Sequence, residues 1–160
     1  MAIMTTSGRR ALAAAVKGSK LYMAWGRGSS DWDNERPREE RGAEALTAEV
    51  GRRLIRQVQY CRPDPNGEIA TSGQTWAPSP NPTAHLHLRA DFDFADGLGE
   101  TIRELGVFIN SRPKPGLPAG QTYFKPEEIN HPGTLLALDH ITAISRGVGS
   151  RIHFDFVLTF

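Results

Sequence analysis

Residues 84–94, AHLHLRADFDF, alternate between apolar and polar side chains, and this alternation decides the fold class. Successive side chains of a β-strand point to opposite faces of the sheet. One face would therefore carry Leu86, Leu88, Ala90, Phe92 and Phe94, and the other His85, His87, Arg89, Asp91 and Asp93. A period of two sustained over ten residues predicts a half-buried antiparallel strand.

The rest of the chain extends this β pattern around one helix. The helix is predicted to start at Thr5, Thr6 or Ser7 and to end at Gly18, with a second short helix over residues 43–50. Further strands are predicted over residues 20–25, 54–61, 101–110, 135–145 and 151–160, with a short one at 123–124 and a possible bulge at Gly106. We expect an α+β, β-rich fold, an antiparallel meander or sandwich of about five or six strands with an N-terminal helix, as a single assembly domain over residues 1–160.

Long loops rich in proline and glycine separate these elements. Residues 26–42, GRGSSDWDNERPREERG, are charged and turn-rich, which is typical of a surface loop or a flexible excursion. Residues 71–82, TSGQTWAPSPNP, form a second such stretch, and each of the two stretches contains one tryptophan.

Composition excludes several classes of function. The 160 residues carry a net charge of +1, so we expect neither nucleic acid nor a membrane surface as a partner. No segment approaches the roughly 20 apolar residues of a transmembrane helix. The single cysteine, Cys61, excludes an internal disulfide framework and a multi-cysteine zinc site.

The residues that could bind a metal ion or take part in catalysis form no compact motif in the sequence. His85 and His87 lie two apart on one strand, a spacing that can place two imidazoles on one metal ion, with His140, His153 or Asp139 as candidates to complete the site. A solvated strand face needs polar residues at these same positions. We predict no catalytic site, no metal site and no cofactor, and we keep a histidine-based metal-dependent enzyme as one alternative.

Aromatic and basic residues in the loops suggest a protein interface, because such interfaces are enriched in tryptophan and arginine. The interface candidates are Trp25, Trp32, Arg36, Arg38, Trp76 and Phe160. Two other interpretations stay open: the tryptophans fold back over the core, or exposed tryptophans form the sugar platform of a small carbohydrate-binding module.

The order of the segments resembles the N-terminal, baseplate-attaching domain of phage tail-collar fibre proteins. The resemblance rests on the helix at residues 5–16, the strand KLYMAW at 20–25, the loop Gly26-Arg27-Gly28 and, most specifically, TIRELGVF at 101–108. The segments Ala45-Leu46-x-x-Glu49-Val50 and residues 54–58 lie between them.

This resemblance implies a structural subunit of a bacteriophage tail, in the baseplate or tail-fibre attachment region, that works by assembly without catalysis. The implied partners are other tail and baseplate proteins and further copies of the chain, with a trimer favoured. The implied location is the virion, after synthesis in the bacterial cytoplasm. Members of that family usually continue into a long fibre shaft, whereas this sequence stops at Phe160. We therefore expect this chain to act as a stand-alone short tail or baseplate protein.

Overall fold

The computed structural model describes residues 1–160, which divide into two compact units. The first unit comprises Met1–Ser19, Ile55–Ala90 and His153–Phe160, and the second comprises Lys20–Leu54 and Asp91–Ile152. The predicted fold class is confirmed: the chain is β-rich, with one N-terminal α-helix and two five-stranded antiparallel sheets.

One α-helix and twelve strands make up the regular structure, together with two short 3₁₀ helices at Ser30–Asp33 and Pro126–Glu128. The helix is α1 (Thr6–Lys17). The strands are β1 (Leu21–Gly26), β2 (Glu49–Leu54), β3 (Gln57–Pro63), β4 (Ile69–Thr71), β5 (Gln74–Pro78), β6 (His85–Phe92), β7 (Thr101–Ile109), β8 (Arg112–Pro113), β9 (Tyr123–Phe124), β10 (Ile129–His131), β11 (Thr134–Ser145) and β12 (Ile152–Thr159).

The helix begins and ends where its capping residues predict. The hydroxyl of Thr5 accepts a hydrogen bond from the Gly8 amide at 3.1 Å, and the Gly18 amide donates to the Ala14 carbonyl. Only Ala13 of the helix is buried. The helix therefore contributes little apolar surface to the core.

The sheet of the first unit has the strand order β12-β6-β3-β5-β4. Its small core cluster consists of Cys61, Ile69 and Trp76, with Val157 packed against it. The Trp76 indole donates to the Thr71 hydroxyl at 3.0 Å, so the hairpin of β4 and β5 closes over this cluster. Residues 71–82, expected to be loop only, thus contain β5.

Strand β6 follows the predicted alternation with two departures. Leu86, Leu88, Ala90 and Phe92 are buried, as predicted. Phe94, assigned to the same face, lies beyond the end of the strand and is 46% exposed. His87, assigned to the solvated face, is buried because Asp155 and Gln59 hold both of its ring nitrogens.

The sheet of the second unit has the order β11-β7-β1-β2-β9. Strand β1 lies between β7 and β2, and all six of its residues are buried. Its core cluster consists of Tyr22, Ala24, Leu46, Phe108 and Phe124. Partly buried leucines, among them Leu135 and Leu138, pack against this cluster. Strands β8 and β10 form a separate two-stranded sheet.

Trp25 is the largest fully buried side chain of the protein. Its ring stacks on Phe92 with the centroids 3.7 Å apart, and its indole nitrogen donates to the Tyr123 hydroxyl at 3.0 Å. The guanidinium of Arg146 lies 5.3 Å from the ring centre. This arrangement gives the polar end of the indole a partner inside the core.

Two local predictions were wrong. Residues 43–48 are irregular, with bends, instead of a helix, and β2 begins at Glu49. Gly106 does not form a bulge with β1, because Leu105, Gly106 and Val107 pair with it in unbroken register. The glycine is required for close packing instead: an added Cβ would lie 2.8 Å from the side chain of Leu46. The register shifts of this region lie in β11.

Gly67 gives a test of packing in the first unit. Its Cα lies against the backbone of Trp76, so an added Cβ would overlap the Trp76 carbonyl, whereas Gly42 has open space around it. We expect Gly67→Ala to lower the free energy of unfolding by about 1–3 kcal/mol and Gly42→Ala to change it by less than about 0.5 kcal/mol. Urea unfolding followed by fluorescence measures both. Equal stabilities of the two variants would contradict this packing.

The ionisation of the Tyr123 phenol makes the stability of the protein depend on pH. Burial raises the pKa of Tyr123 to about 12, whereas the unfolded chain has the ordinary value near 10. The folded state therefore holds the phenol proton more tightly. The stability this contributes, about 2 kcal/mol, is complete below pH 10 and is lost as pH rises towards 12.

Urea unfolding between pH 9 and pH 12 measures this loss. Tyr123→Phe is the control, because it cannot ionise and its stability should fall less over the same range. An identical fall in both proteins would assign the effect to other groups.

Candidate protein–protein interface

Residues 27–48 form one long loop between β1 and β2 in the second unit, here called the 27–48 loop. It contains the 3₁₀ helix Ser30–Asp33, which begins with the Ser29 hydroxyl accepting from the Asp31 amide at 3.3 Å. The sequence predicts a surface loop or a flexible excursion over residues 26–42 of this region. The structure shows a surface loop with specific contacts at its base, flank and middle.

The base of the loop is fastened by a buried carboxylate. Glu104, on β7, has no exposed surface. It accepts hydrogen bonds from the amides of Ala48 at 2.8 Å, Thr47 at 3.0 Å and Gly28 at 3.3 Å. The two ends of the loop are therefore bound to the same side chain, and the Arg27 amide joins them directly by donating to the Ala48 carbonyl.

Arginine–carboxylate pairs hold the flank of the loop. Arg103 donates to both carboxylate oxygens of Asp33 at 2.7 Å, and Arg27 donates to both of Glu100 at 2.5 Å. Hydrogen bonding to these guanidinium groups lowers the pKa of both Asp33 and Glu100. Bidentate pairs of this kind fix geometry as well as charge.

The middle of the loop lies on β11 at His140. The ring of Trp32 lies 4.4 Å from the His140 ring, centre to centre. Because the Pro37 carbonyl can only accept, His140 Nδ1 donates to it, at 2.9 Å. The His140 amide donates to Glu39 at 3.0 Å, and this bond lowers the pKa of Glu39. Gly28, at φ 56°, lies against the Trp32 ring, where an added Cβ would overlap it.

The 27–48 loop, held in place by these contacts, presents charged side chains to solvent. Arg36 and Arg38 are exposed, as are Glu35 and Glu40, and Trp32 is half-buried beside them. Two shallow clefts flank the crossing at His140. The first, of about 310 Å³, is lined by Glu39, Glu40, Arg41, Ala43 and Leu135–Leu138. The second, of about 350 Å³, is lined by Trp32, Asp33, Asn34, Arg36 and residues 141–143.

The structure brings together three of the six interface candidates. Trp32, Arg36 and Arg38 share the 27–48 loop. Trp25 and Trp76 are buried in the second and the first unit, so they correspond to the interpretation in which tryptophans cover the core. Phe160 is half-buried in the first unit, where its amide donates to Ala84 and its carbonyl accepts from Arg9 at 2.6 Å.

The histidines considered as metal ligands have other partners. His87 Nε2 lies 2.7 Å from Asp155 and its Nδ1 lies 3.0 Å from Gln59, while His85 Nδ1 lies 2.9 Å from Thr159. The structure contains no group of three or more histidine, cysteine or acidic residues placed to hold a metal ion. Burial raises the pKa of the Cys61 thiol to about 11, which disfavours the nucleophilic thiolate.

The sequence analysis did not predict that Glu104, Arg103 and His140 hold the loop in place. Glu104 carried a signal, because it occupies a position on β7 where the alternation Ile102, Glu104, Gly106, Phe108 requires a buried side chain. A charged residue at such a position indicates a buried polar network. Arg103 and His140 carried no comparable signal, since both fit ordinary strand positions.

Fold and site together define a β-rich protein whose distinguishing surface is a charged, braced loop. The chain belongs to a family of phage baseplate and tail-fibre components, described as baseplate wedge 3 tail fiber network component, whose model matches residues 1–160. A search of curated proteins found no match.

Members of this family are structural components of the phage baseplate, which implies that the protein is located in the virion tail. The resemblance stated from the sequence is confirmed at the level of a phage baseplate and tail-fibre family, and not for tail-collar proteins specifically. No helix of the structure has the length and apolar character needed to cross a membrane.

Glu104→Gln tests whether one carboxylate holds the loop. The amide keeps one acceptor oxygen but turns its NH₂ group towards backbone donors, leaving buried groups unpaired. We expect a loss of about 2–4 kcal/mol in the free energy of unfolding and at least tenfold faster tryptic cleavage within the loop. Urea unfolding and limited proteolysis measure the two effects.

The matched control is Glu44→Gln, the same change at an exposed position of the same loop. It should alter stability by less than about 0.5 kcal/mol. If both variants are cleaved at the wild-type rate, Glu104 does not hold the loop.

Proposed function

We propose that this protein is a structural subunit of the phage tail, in the baseplate or tail-fibre attachment region, and acts by protein–protein assembly without catalysis. The observation that carries the proposal is the 27–48 loop, which is fixed at its base by Glu104 and exposes Arg36 and Arg38. Membership of a baseplate and tail-fibre family supports it.

The geometry of the loop suits docking. A loop already held in one conformation loses less conformational entropy on binding than a mobile one. Arginine and tryptophan are frequent among the residues that dominate interface energies. We therefore assign Trp32, Arg36 and Arg38 to the contact with neighbouring tail proteins. Trp25 and Trp76 are core residues of their own units, and Phe160 is half-buried in the first unit.

The finer features of the role follow from the sequence resemblance. We propose that residues 1–160 act as one assembly domain, which attaches at the baseplate as the N-terminal domain of tail-collar fibre proteins does. Copies of the chain associate, with a trimer favoured, after synthesis in the bacterial cytoplasm and before or during incorporation into the tail.

Neither alternative from the sequence has a specific observation in its favour. A carbohydrate platform needs an open aromatic face, and Trp32 has His140 and Gly28 against its ring. A histidine-based metal enzyme needs His85 and His87 as ligands, and these are bonded to Thr159, Asp155 and Gln59.

Arg36→Glu/Arg38→Glu tests the proposal. Both side chains are exposed, so the variant should fold with wild-type stability while repelling the acidic surface that the arginines contact. In cells where it replaces the wild-type protein during infection, we expect at least tenfold less of it in purified tails. Quantitative mass spectrometry of the tails measures the amount.

Arg56→Glu/Lys114→Glu is the matched control, because it makes the same change of charge at two other exposed positions. It should enter tails at the wild-type level. Normal incorporation of the loop variant would refute docking through the loop, and absence of the wild-type protein from tails would refute the structural role itself.

A further inference from the structure

An apolar segment precedes α1 and lies in solvent. Met1, Ile3 and Met4 are exposed by 121%, 86% and 53%, and these residues belong to the segment 1–5, here called the arm. Leu12, on the exposed side of α1, is also 44% exposed. The fold thus leaves several large apolar side chains of one segment without cover, which is unusual for a monomeric protein.

A groove along β11 is open as well. The first cleft described above, here called the β11 groove, lies between residues 39–43 of the 27–48 loop and Leu135–Leu138 of β11. Leu136, at a register shift of β11, is 38% exposed there. The floor of the groove is therefore apolar and its loop wall is charged.

The backbone of β11 is also available in the groove. Strand β11 is at the edge of its sheet and pairs only with β7. The His140 amide donates to Glu39, so it points away from β7. Because this orientation repeats every second residue, the amide and carbonyl of Leu138 point outwards too. An extended segment can pair with such an edge.

Charge indicates which segment fits. The charged residues on the loop wall of the groove are Glu39, Glu40 and Arg41, a net charge of −1, and Glu40 is exposed. Residues 1–19 contain Arg9, Arg10 and Lys17 and no acidic residue.

We propose that the arm of one copy of this protein adds as a strand to the β11 groove of a second copy. Ile3 and Met4 cover Leu136, and Arg10 approaches Glu40. The two surfaces differ, so the contact is head-to-tail, which closes into a ring or continues as an open array. The inference rests on the proposed self-association and adds the surfaces that carry it.

Light scattering of the full chain and of a variant lacking residues 2–4 tests the contact. The deletion keeps Thr5 and hence the cap of α1. We expect the wild-type protein to form oligomers and the deletion to be monomeric at the same concentration, with at least tenfold weaker association. A circular dichroism spectrum confirms that the variant is folded.

A peptide of residues 1–10 should bind to the deletion variant, with fluorescence anisotropy as the readout. Leu136→Asp in the groove should weaken binding at least tenfold. Val148→Asp is the matched control, because Val148 is apolar, 91% exposed and outside the groove, and it should leave binding unchanged.

An exchange of charges tests the pairing of Arg10 with Glu40. Glu40→Arg in the protein should weaken binding of the wild-type peptide at least fivefold. A peptide with Arg10→Glu should restore binding to that variant.

A monomeric wild-type protein, an oligomer that survives the deletion, or a peptide insensitive to Leu136→Asp would each overturn the inference. A monomeric wild-type protein would also refute the proposed self-association, whereas the other two outcomes overturn only the contact between arm and groove. None of the three bears on incorporation into tails through Arg36 and Arg38.

Discussion

The carboxylate of Glu104 is the constraint on which the second unit depends. A buried charge is tolerated only when hydrogen bonds replace the water it has lost, and three backbone amides meet that need. Those amides belong to Gly28, near the start of the 27–48 loop, and to Thr47 and Ala48 at its end. The electrostatic requirement of one strand residue thus determines where the loop leaves the sheet and where it returns.

The other contacts of the loop add to this closure at its base. With both ends bound to Glu104, the loop also holds Asp33 against Arg103 and Trp32 against His140. Exposed ion pairs alone contribute little to stability, whereas several contacts on an already closed loop lose less entropy by forming. The result is a surface loop held in one conformation by hydrogen bonds, ion pairs and a ring contact, which suits the docking role proposed for it.

The sequence predicted those parts of the fold that depend on local pattern. The alternation in β6, the caps at Thr5 and Gly18 and the short strand at residues 123–124 are such cases, since each follows from neighbouring residues. The helix predicted over residues 43–50 does not form, because the amides of Thr47 and Ala48 donate to Glu104, which lies far away in the chain. For the site, sequence composition pointed to Trp32, Arg36 and Arg38, but could not separate them from the buried Trp25 and Trp76. Distant residues cover those two: Phe92 stacks on Trp25, and Val157 packs against the cluster that contains Trp76.

The crossing of the loop over β11 at His140 has one more consequence. A long bare strand edge invites uncontrolled stacking of chains, particularly at the high local concentrations reached when many copies are made together. Here the Glu39 carboxylate occupies the edge at its middle, and register shifts interrupt the strand on both sides. The edge is divided into short pieces, so the same contact that positions the loop also limits the length of any strand that can pair with this edge.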